Sequence, residues 1–333
     1  MKYFLLISAV CAALLFSSPG WAASPGKAAV AGLVIIQPTE KSIVQSELLI
    51  VVLNGSPLLI DEIQLSVNNR KQVLAPKTFK QDSVCYDGVR LSYGLNTVKI
   101  TGYKNNKKTE EITRQVFYQN DLSTGSISIP AGFKAYRFHI DENEKACSSC
   151  HGLDFRKAED SQDPLQSPCY LCHKKMLSEY SFTHGPSAVW SCLMCHDGKA
   201  KNPKLAVAAP VAPICRGCHE ISWEKMKNQH APTAAGACTT CHNPHAENRQ
   251  YFLRKDTVEL CAACHEEILS QPHVINSFSG NGGHPLRNCP DPSRPGKYLT
   301  CASCHNPHGG NSSVFLNNYD DSMPRQRFCT SCH

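Results

Sequence analysis

Eight times the chain reads Cys-x-x-Cys-His. The copies are Cys147/Cys150/His151, Cys169/Cys172/His173, Cys192/Cys195/His196, Cys215/Cys218/His219, Cys238/Cys241/His242, Cys261/Cys264/His265, Cys301/Cys304/His305 and Cys329/Cys332/His333. They take up sixteen of the nineteen cysteines and eight of the fifteen histidines. Two thiols three residues apart with an imidazole beside the second suit covalent haem attachment. The thiols form thioethers to the haem vinyl groups, and the imidazole reaches the iron from the same side. Zinc is the rival, because a zinc ribbon separates its cysteine pairs by about 15–20 residues and 18 or 19 separate the first six pairs here. A zinc tetrathiolate has no use for a histidine after every second cysteine. Eight in eight is no accident in a chain with fifteen histidines. The motifs predict eight haem c groups on these sixteen cysteines, with the eight motif histidines as proximal ligands. No catalytic residue stands out.

The motifs form a repeat. First-cysteine spacings are 22, 23, 23, 23, 23, 40 and 28. His139, His184 and His230 each stand eight residues before the first cysteine of motifs one, three and five, and His284 stands 17 before motif seven. The unit is therefore His-x7-Cys-x-x-Cys-His followed by a second Cys-x-x-Cys-His, four times over. Units three and four add Cys-His-Asn-Pro-His, which supplies His245 and His308. This pattern resembles the doubled-CxxCH family of multihaem (octahaem) c-type cytochromes over residues 139–333, and RQYFLRKDTVELCAACH and SVFLNNYDDSMPRQRFCTSCH fit the second half of such a unit.

Seven histidines remain for eight distal positions: His139, His184, His230, His245, His273, His284 and His308. His273 has no repeated position. Three explanations cover the deficit: a methionine ligand (Met176, Met194, Met226 or Met323), a histidine from a neighbouring molecule, or an open site. Units one and two lack the Cys-His-Asn-Pro-His histidine, which puts the deficit among haems one to four. An open site would suit a second reading, an octahaem reductase of nitrite, hydroxylamine or sulfur oxyanions. Such enzymes commonly carry lysine in place of one proximal histidine, and all eight motifs here end in histidine. Cys85 and Cys289 are left over, and in an oxidising compartment such a pair can bridge.

The elements that must position these groups fall into two zones. Residues 24–120 hold one cysteine and no histidine, whereas residues 139–333 hold seventeen cysteines and every histidine. In the first zone an apolar run at Leu48–Leu53 ends at Asn54-Gly55. Ile63, Leu65 and Val67 alternate up to Asn68-Asn69. Val98, Ile100 and Gly102 alternate before the turn at Asn105-Asn106, and Ile112 to Tyr118 returns. Short alternating strands between turn signals predict a β-sandwich, and GLNTVKITGYKNNKKTEEITRQVFY resembles the last hairpin of bacterial immunoglobulin-like modules. Residues 121–138 read as a linker. Eight haems in residues 139–333 leave too little chain per haem for an ordinary apolar core, so that zone is expected to be mostly coil and short helix wrapped on haem, with covalent staples substituting for packing.

Residues 1–22 read as a signal peptide: Lys2, an apolar run to Phe16, then small residues before the expected cut. Its loss leaves no transmembrane segment. The expected protein is an exported electron carrier, periplasmic or extracellular, whose neighbouring haems pass electrons in series. Redox proteins are its expected partners, docking through the sandwich domain, and self-association into a filament is a further expectation. His333 is the last residue of the sequence, which puts haem eight near the surface as one end of the chain of haems. The net charge of +6 does not imply nucleic acid. Without Lys2 it is about +5, and eight ferric haems, each with two propionates against one net positive charge, bring it to about −3.

Overall fold

A computed structural model describes residues 32–56, 58–74, 77–78, 83–119, 122, 128–145, 147–148, 151–155, 165, 167–201, 203–270, 288–330 and 332–333. The expected signal peptide, Cys150, His273 and His284 lie outside the described residues.

Among the described residues the first region has ten strands: β1 (Leu33–Gln37), β2 (Ser42–Val44), β3 (Leu48–Gly55), β4 (Glu62–Val67), β5 (Arg70–Lys71), β6 (Lys77–Thr78), β7 (Ser83–Arg90), β8 (Gly94–Lys104), β9 (Lys107–Tyr118) and β10 (Lys134–Ala135). They form a sheet ordered β1-β3-β7-β6 and a second ordered β10-β2-β9-β8-β4-β5. The two expected Asn-Asn turns close hairpins. Asn68 and Asn69 join β4 to β5 with φ of 51° and 63°, and Asn105 and Asn106 join β8 to β9 with φ of 51° and 60°. Asparagine tolerates this left-handed backbone, which a two-residue hairpin turn needs at both positions. Asn54-Gly55 ends β3 as expected, its two residues pairing with Val34 and Leu33 of β1.

Alternation supplies the core. Val51, Leu53 and Val89 of the first sheet and Leu65, Val67, Val98, Ile100 and Val116 of the second lie in one buried apolar cluster. Each such side chain contributes about 1.5–3 kcal/mol by leaving water. Asn96 is a fully buried polar residue, and its amide is satisfied. Its oxygen accepts from Ser92 N at 2.9 Å and Asn68 Nδ2 at 3.0 Å, and its nitrogen donates to the Ser92 and Gly94 carbonyls. It ties the β8 start to the β4–β5 turn.

The stretch read as a linker is partly sheet. β10 pairs in parallel with β2, Tyr136 N donates to the Ile43 carbonyl at 2.8 Å, and Tyr136 Oη meets Gln37 Oε1 at 2.6 Å. These bonds fix where the chain leaves the first region.

Beyond residue 140 the helices run four to six residues, the length of one turn or slightly more, so tertiary anchoring must hold them. The strands there are β11 (Phe182–Thr183), β12 (His196–Lys201), β13 (Lys204–Val207), β14 (Asn228–Gln229), β15 (Ala246–Glu247) and β16 (Gly309–Gly310). They pair as β11 with β15, β12 with β13 and β14 with β16. The two regions touch: Lys175 Nζ donates to the Asp87 carbonyl at 2.8 Å, Arg90 lies 3.6 Å from Glu179, and Lys255 Nζ donates to the Leu122 carbonyl at 2.9 Å.

Candidate haem-binding sites

Each motif is one helical turn. Among the described residues, the histidine N–H donates to the first cysteine's carbonyl in seven motifs, at 2.9–3.1 Å. In the third motif the turn is tighter, with Cys195 N on the Cys192 carbonyl at 3.2 Å. Residues at i, i+3 and i+4 share a helix face, so the turn presents both thiols and the imidazole to the same side.

The histidines then pair. Ring centroids lie 6.1 Å apart for His139 and His173, 6.0 Å for His184 and His219, 6.1 Å for His196 and His245, 6.1 Å for His230 and His265, and 6.1 Å for His242 and His308. Metal–nitrogen bonds of about 2 Å, with each ring centre about 1 Å further out, separate two rings on one metal by about 6 Å. These five pairs therefore have the spacing of two imidazoles on opposite sides of an iron. Among the described residues no three or more His, Cys, Asp or Glu side chains gather so as to hold a metal ion. The donors come as imidazole pairs beside cysteine pairs, which fits haem c and not a zinc tetrathiolate.

The pairing is interleaved. His139, His184 and His230 precede the first motif of their units yet face the histidine of the second. His245 and His308 face the odd-motif histidine of the unit before their own. Backbone contacts enforce this. β11 pairs with β15 and His184 N donates to the His245 carbonyl at 2.9 Å; β14 pairs with β16 and His230 N donates to the His308 carbonyl at 3.1 Å. The β14–β16 approach needs Gly309, because a Cβ there would stand 2.5 Å from the Asn228 carbonyl oxygen. Pro186 and Pro232 sit in the first turn of the helices that begin just after His184 and His230, where proline is already shaped for the helix.

Nδ1 partners aim the rings. His196 Nδ1 donates to the Leu205 carbonyl at 2.9 Å, His242 to Tyr251 at 2.7 Å and His305 to Val314 at 2.7 Å, nine residues on each time; His230 donates to Pro307 at 3.0 Å. A proton held on Nδ1 leaves Nε2 for the metal. Leu205 and Tyr251 hold these carbonyls with φ of 56° and 59°, a strained backbone for such side chains. Trp223 stacks on His308, with centroids 4.1 Å apart. Burial, followed by the facing His139, brings His173 down to about 4, and burial followed by His196 brings His245 to about 4. Both rings are therefore neutral at pH 7, as ligation requires.

The cysteines are arranged in alternating contacts. First cysteines meet between units: Cys169 with Cys192, Cys215 with Cys238 and Cys261 with Cys301 each share a hydrogen bond. Second cysteines approach within units. Burial and then the neighbouring thiol raise Cys195 (beside Cys218), Cys241 (beside Cys264) and Cys304 (beside Cys332). From motif two to motif eight, each motif thus places a cysteine near one of the next, on alternating sides.

In the first unit, Cys172 and His151 were likewise expected to bind haem. Cys172 is half-buried in the helical turn Tyr170–His173. The second cysteine that it would meet by the rule of the other units is Cys150, which lies outside the described residues. His151 is half-buried, and its N–H donates to the Cys147 carbonyl at 2.9 Å. His139, the distal candidate nearest to it in sequence, faces His173. His305 and His333 also close their turns, on the Cys301 and Cys329 carbonyls.

Cys85 and Cys289, which the sequence left open to bridging, are not bonded to each other. Cys85 lies in β7 opposite Val52, and Cys289 Sγ lies 3.7 Å from the Pro290 carbonyl. Of the candidate methionines, Met226 and Met323 line one cavity of about 250 Å³ beside Asn306 and Leu316, and Met194 is largely exposed. The sequence reading missed Glu144, Trp223 and the carbonyl acceptors. Backbone oxygens leave no residue-type signal, although the fixed nine-residue offset does.

The description "Doubled CXXCH motif" matches residues 184–222, 230–269 and 292–333. These three stretches carry the doubled-motif signature of multihaem c-type cytochromes, a motif that indicates covalently bound haem c. Such cytochromes serve electron transfer and are exported. Two solved structures are similar over short stretches. An endo-beta-1,4-mannanase from Thermotoga petrophila shares 10% identity over 27% of this chain and 20% of its own, at a TM-score of 0.24. A putative beta-galactosidase from Bacteroides fragilis shares 14% over 26% of this chain and 12% of its own, at 0.23. Likeness that low carries no argument. No curated protein matches the chain.

Proposed function

We propose that the chain binds eight haem c groups and carries electrons through them in series, outside the cytoplasm. The observation that carries this reading is the alternating run of neighbouring cysteines from motif two to motif eight, beside five imidazole pairs about 6 Å apart. Thioether bonds on those sulfurs would bring the edges of successive haems together in sequence order. When bound, haem c supplies a centre that gains and loses one electron with no substrate atom transferred.

The chain's own residues do the rest. The cysteine pairs fix each group by its edge. His173, His196, His219, His242 and His265 take the proximal positions, and His139, His245, His184, His308 and His230 the matching distal ones. With both positions filled, these five centres have no room for substrate, which supports a carrier over a reductase. The carbonyls of Leu205, Tyr251, Val314 and Pro307 hold the ring planes through redox cycles, so little reorganisation accompanies each transfer. The strand-rich region we read as an immunoglobulin-like sandwich that docks a redox partner. Supporting export, the leader has the pattern of a signal peptide.

A pyridine haemochromogen assay with intact mass on the exported protein tests this. Eight haems per chain, low-spin at the five paired sites, is the expected result. Fewer than seven, or stoichiometric zinc in their place, overturns it.

A further inference from the structure

The five paired centres are not held alike, and the difference lies at His139. Where another paired histidine has a recorded Nδ1 partner (His196, His230 and His242), that partner is a neutral backbone carbonyl. His139 Nδ1 instead meets a carboxylate, Glu144 Oε1, at 3.0 Å. Glu144 is 5% exposed although it is an acid in a helix of only four residues, Asp141–Glu144. Its second oxygen accepts from Lys204 Nζ at 2.5 Å, and Lys204 also holds the exposed Asp141 at 2.6 Å. Lys204 belongs to β13, in the hairpin whose other strand begins with His196. A lysine from the next unit is therefore clamped onto the acid behind a distal ligand. Phe138 and Phe155 stand edge-on to the same imidazole at 5.1 Å, screening the contact from water.

A buried acid is costly unless it is paired, so this one has a reason to be where it is. A carboxylate accepting the Nδ1 proton makes the imidazole a stronger donor through Nε2 than a carbonyl does. A more basic ligand and a nearby negative charge both favour ferric over ferrous iron. Lys204 opposes this by holding part of the carboxylate's charge.

We propose that Glu144 is a positioning residue for haem two: through His139 it sets that centre at a more negative potential than the carbonyl-held pairs, and Lys204 limits how far. This rests on the reading of His139 and His173 as the two ligands of one haem. Haem two also lies on the side facing the strand-rich region, since Lys175 bonds to Asp87 close by. A potential step there would give electrons a preferred direction past the docking module.

The test uses the full haem-loaded protein and begins with the haem count. A protein without covalent haem refutes the functional reading itself, whereas an intact count isolates the present inference. In an EPR-monitored redox titration, Glu144→Gln should raise the potential of one low-spin centre and leave the rest in place. Lys204→Met should shift the same centre the other way. Glu142→Gln, which removes an exposed charge from the same helix, should shift nothing. Should Glu144→Gln lose haem, Lys204→Met still decides. Titrations that superimpose on the unsubstituted protein, or a Lys204→Met shift to higher potential, overturn the proposal.

Discussion

Residues 33–118 and residues 139–333 are held together by different means. The first region keeps Val51, Leu53, Val89, Val98, Ile100 and Val116 essentially free of solvent in one cluster. The buried apolar residues of the second region, such as Phe155, Leu177, Ala212, Ala246 and Val258, are scattered along it and belong to no such cluster. Its histidines face one another in pairs and its cysteines neighbour one another across motifs. A region whose ligands occupy the positions of a core depends on cofactor for order, while one with an apolar core does not.

The sharpest way to break this contrast is to make the full chain without haem attachment. Residues 139–333 should then be digested rapidly by protease. A fragment ending beyond β10 should survive with β-rich circular dichroism. If both parts resist, or both are lost together, the contrast fails. Next in size is Leu53→Ala, which leaves a cavity in the shared core and should cost the first region about 2–5 kcal/mol of unfolding free energy. The haem spectrum should stay unchanged, and a matching loss of haem would mean that the regions fold as one.

His245→Ala makes the converse test. It should convert one centre, haem three, to a high-spin form that binds carbon monoxide when reduced, while the first region's melting is unmoved. If the altered centre maps to haem five, whose motif lies beside His245 in sequence, the interleaved pairing is wrong.

Acid should loosen the second region locally before the first. Asp291 is buried, which raises its carboxyl, but hydrogen bonds from Ser293, Ser303 and Arg294 outweigh this and hold it well below its ordinary value. A carboxylate depressed on folding adds stability above its unfolded pKa and loses it as pH falls through the folded one. The loop over residues 288–299 should therefore open only below about pH 4, as amide exchange would show. Asp291→Asn should open it at neutral pH.

The alternation of Leu65, Val67, Val98 and Ile100, the two Asn-Asn turns and every Cys-x-x-Cys-His turn could be read from the sequence, because each is set by neighbours within a few residues. Which distal histidine meets which motif could not. His184 stands eight residues before motif three yet faces motif four, and only the β11–β15 pairing, more than sixty residues apart in sequence, decides it. By the same rule His139 passes over His151, in the motif it precedes, and faces His173. Cys85 and Cys289 show the converse. Their being left over suggested a bond, but leftover status carries no distance. Glu144 looked like one acid among several in DENE until its burial behind His139 set it apart.

The smallest expected effect lies where the two regions meet. Lys175 Nζ reaches the Asp87 carbonyl, and Gly88 beside it has φ of 79°, with Lys175 passing 2.9 Å from where a Cβ would stand. Arg90 bridges Glu47 at 2.7 Å within the first region and Glu179 at 3.6 Å across the junction. Half-exposed ion pairs of this kind are worth about 0–1 kcal/mol each. Arg90→Gln should therefore leave both regions folded and the haem count intact, while raising the rate of protease cleavage between them by no more than about fivefold, the factor that 1 kcal/mol represents. A larger effect, or a fall in the first region's own melting temperature beyond a few degrees, would mean that the junction is a cooperative interface and that the two kinds of core are energetically coupled.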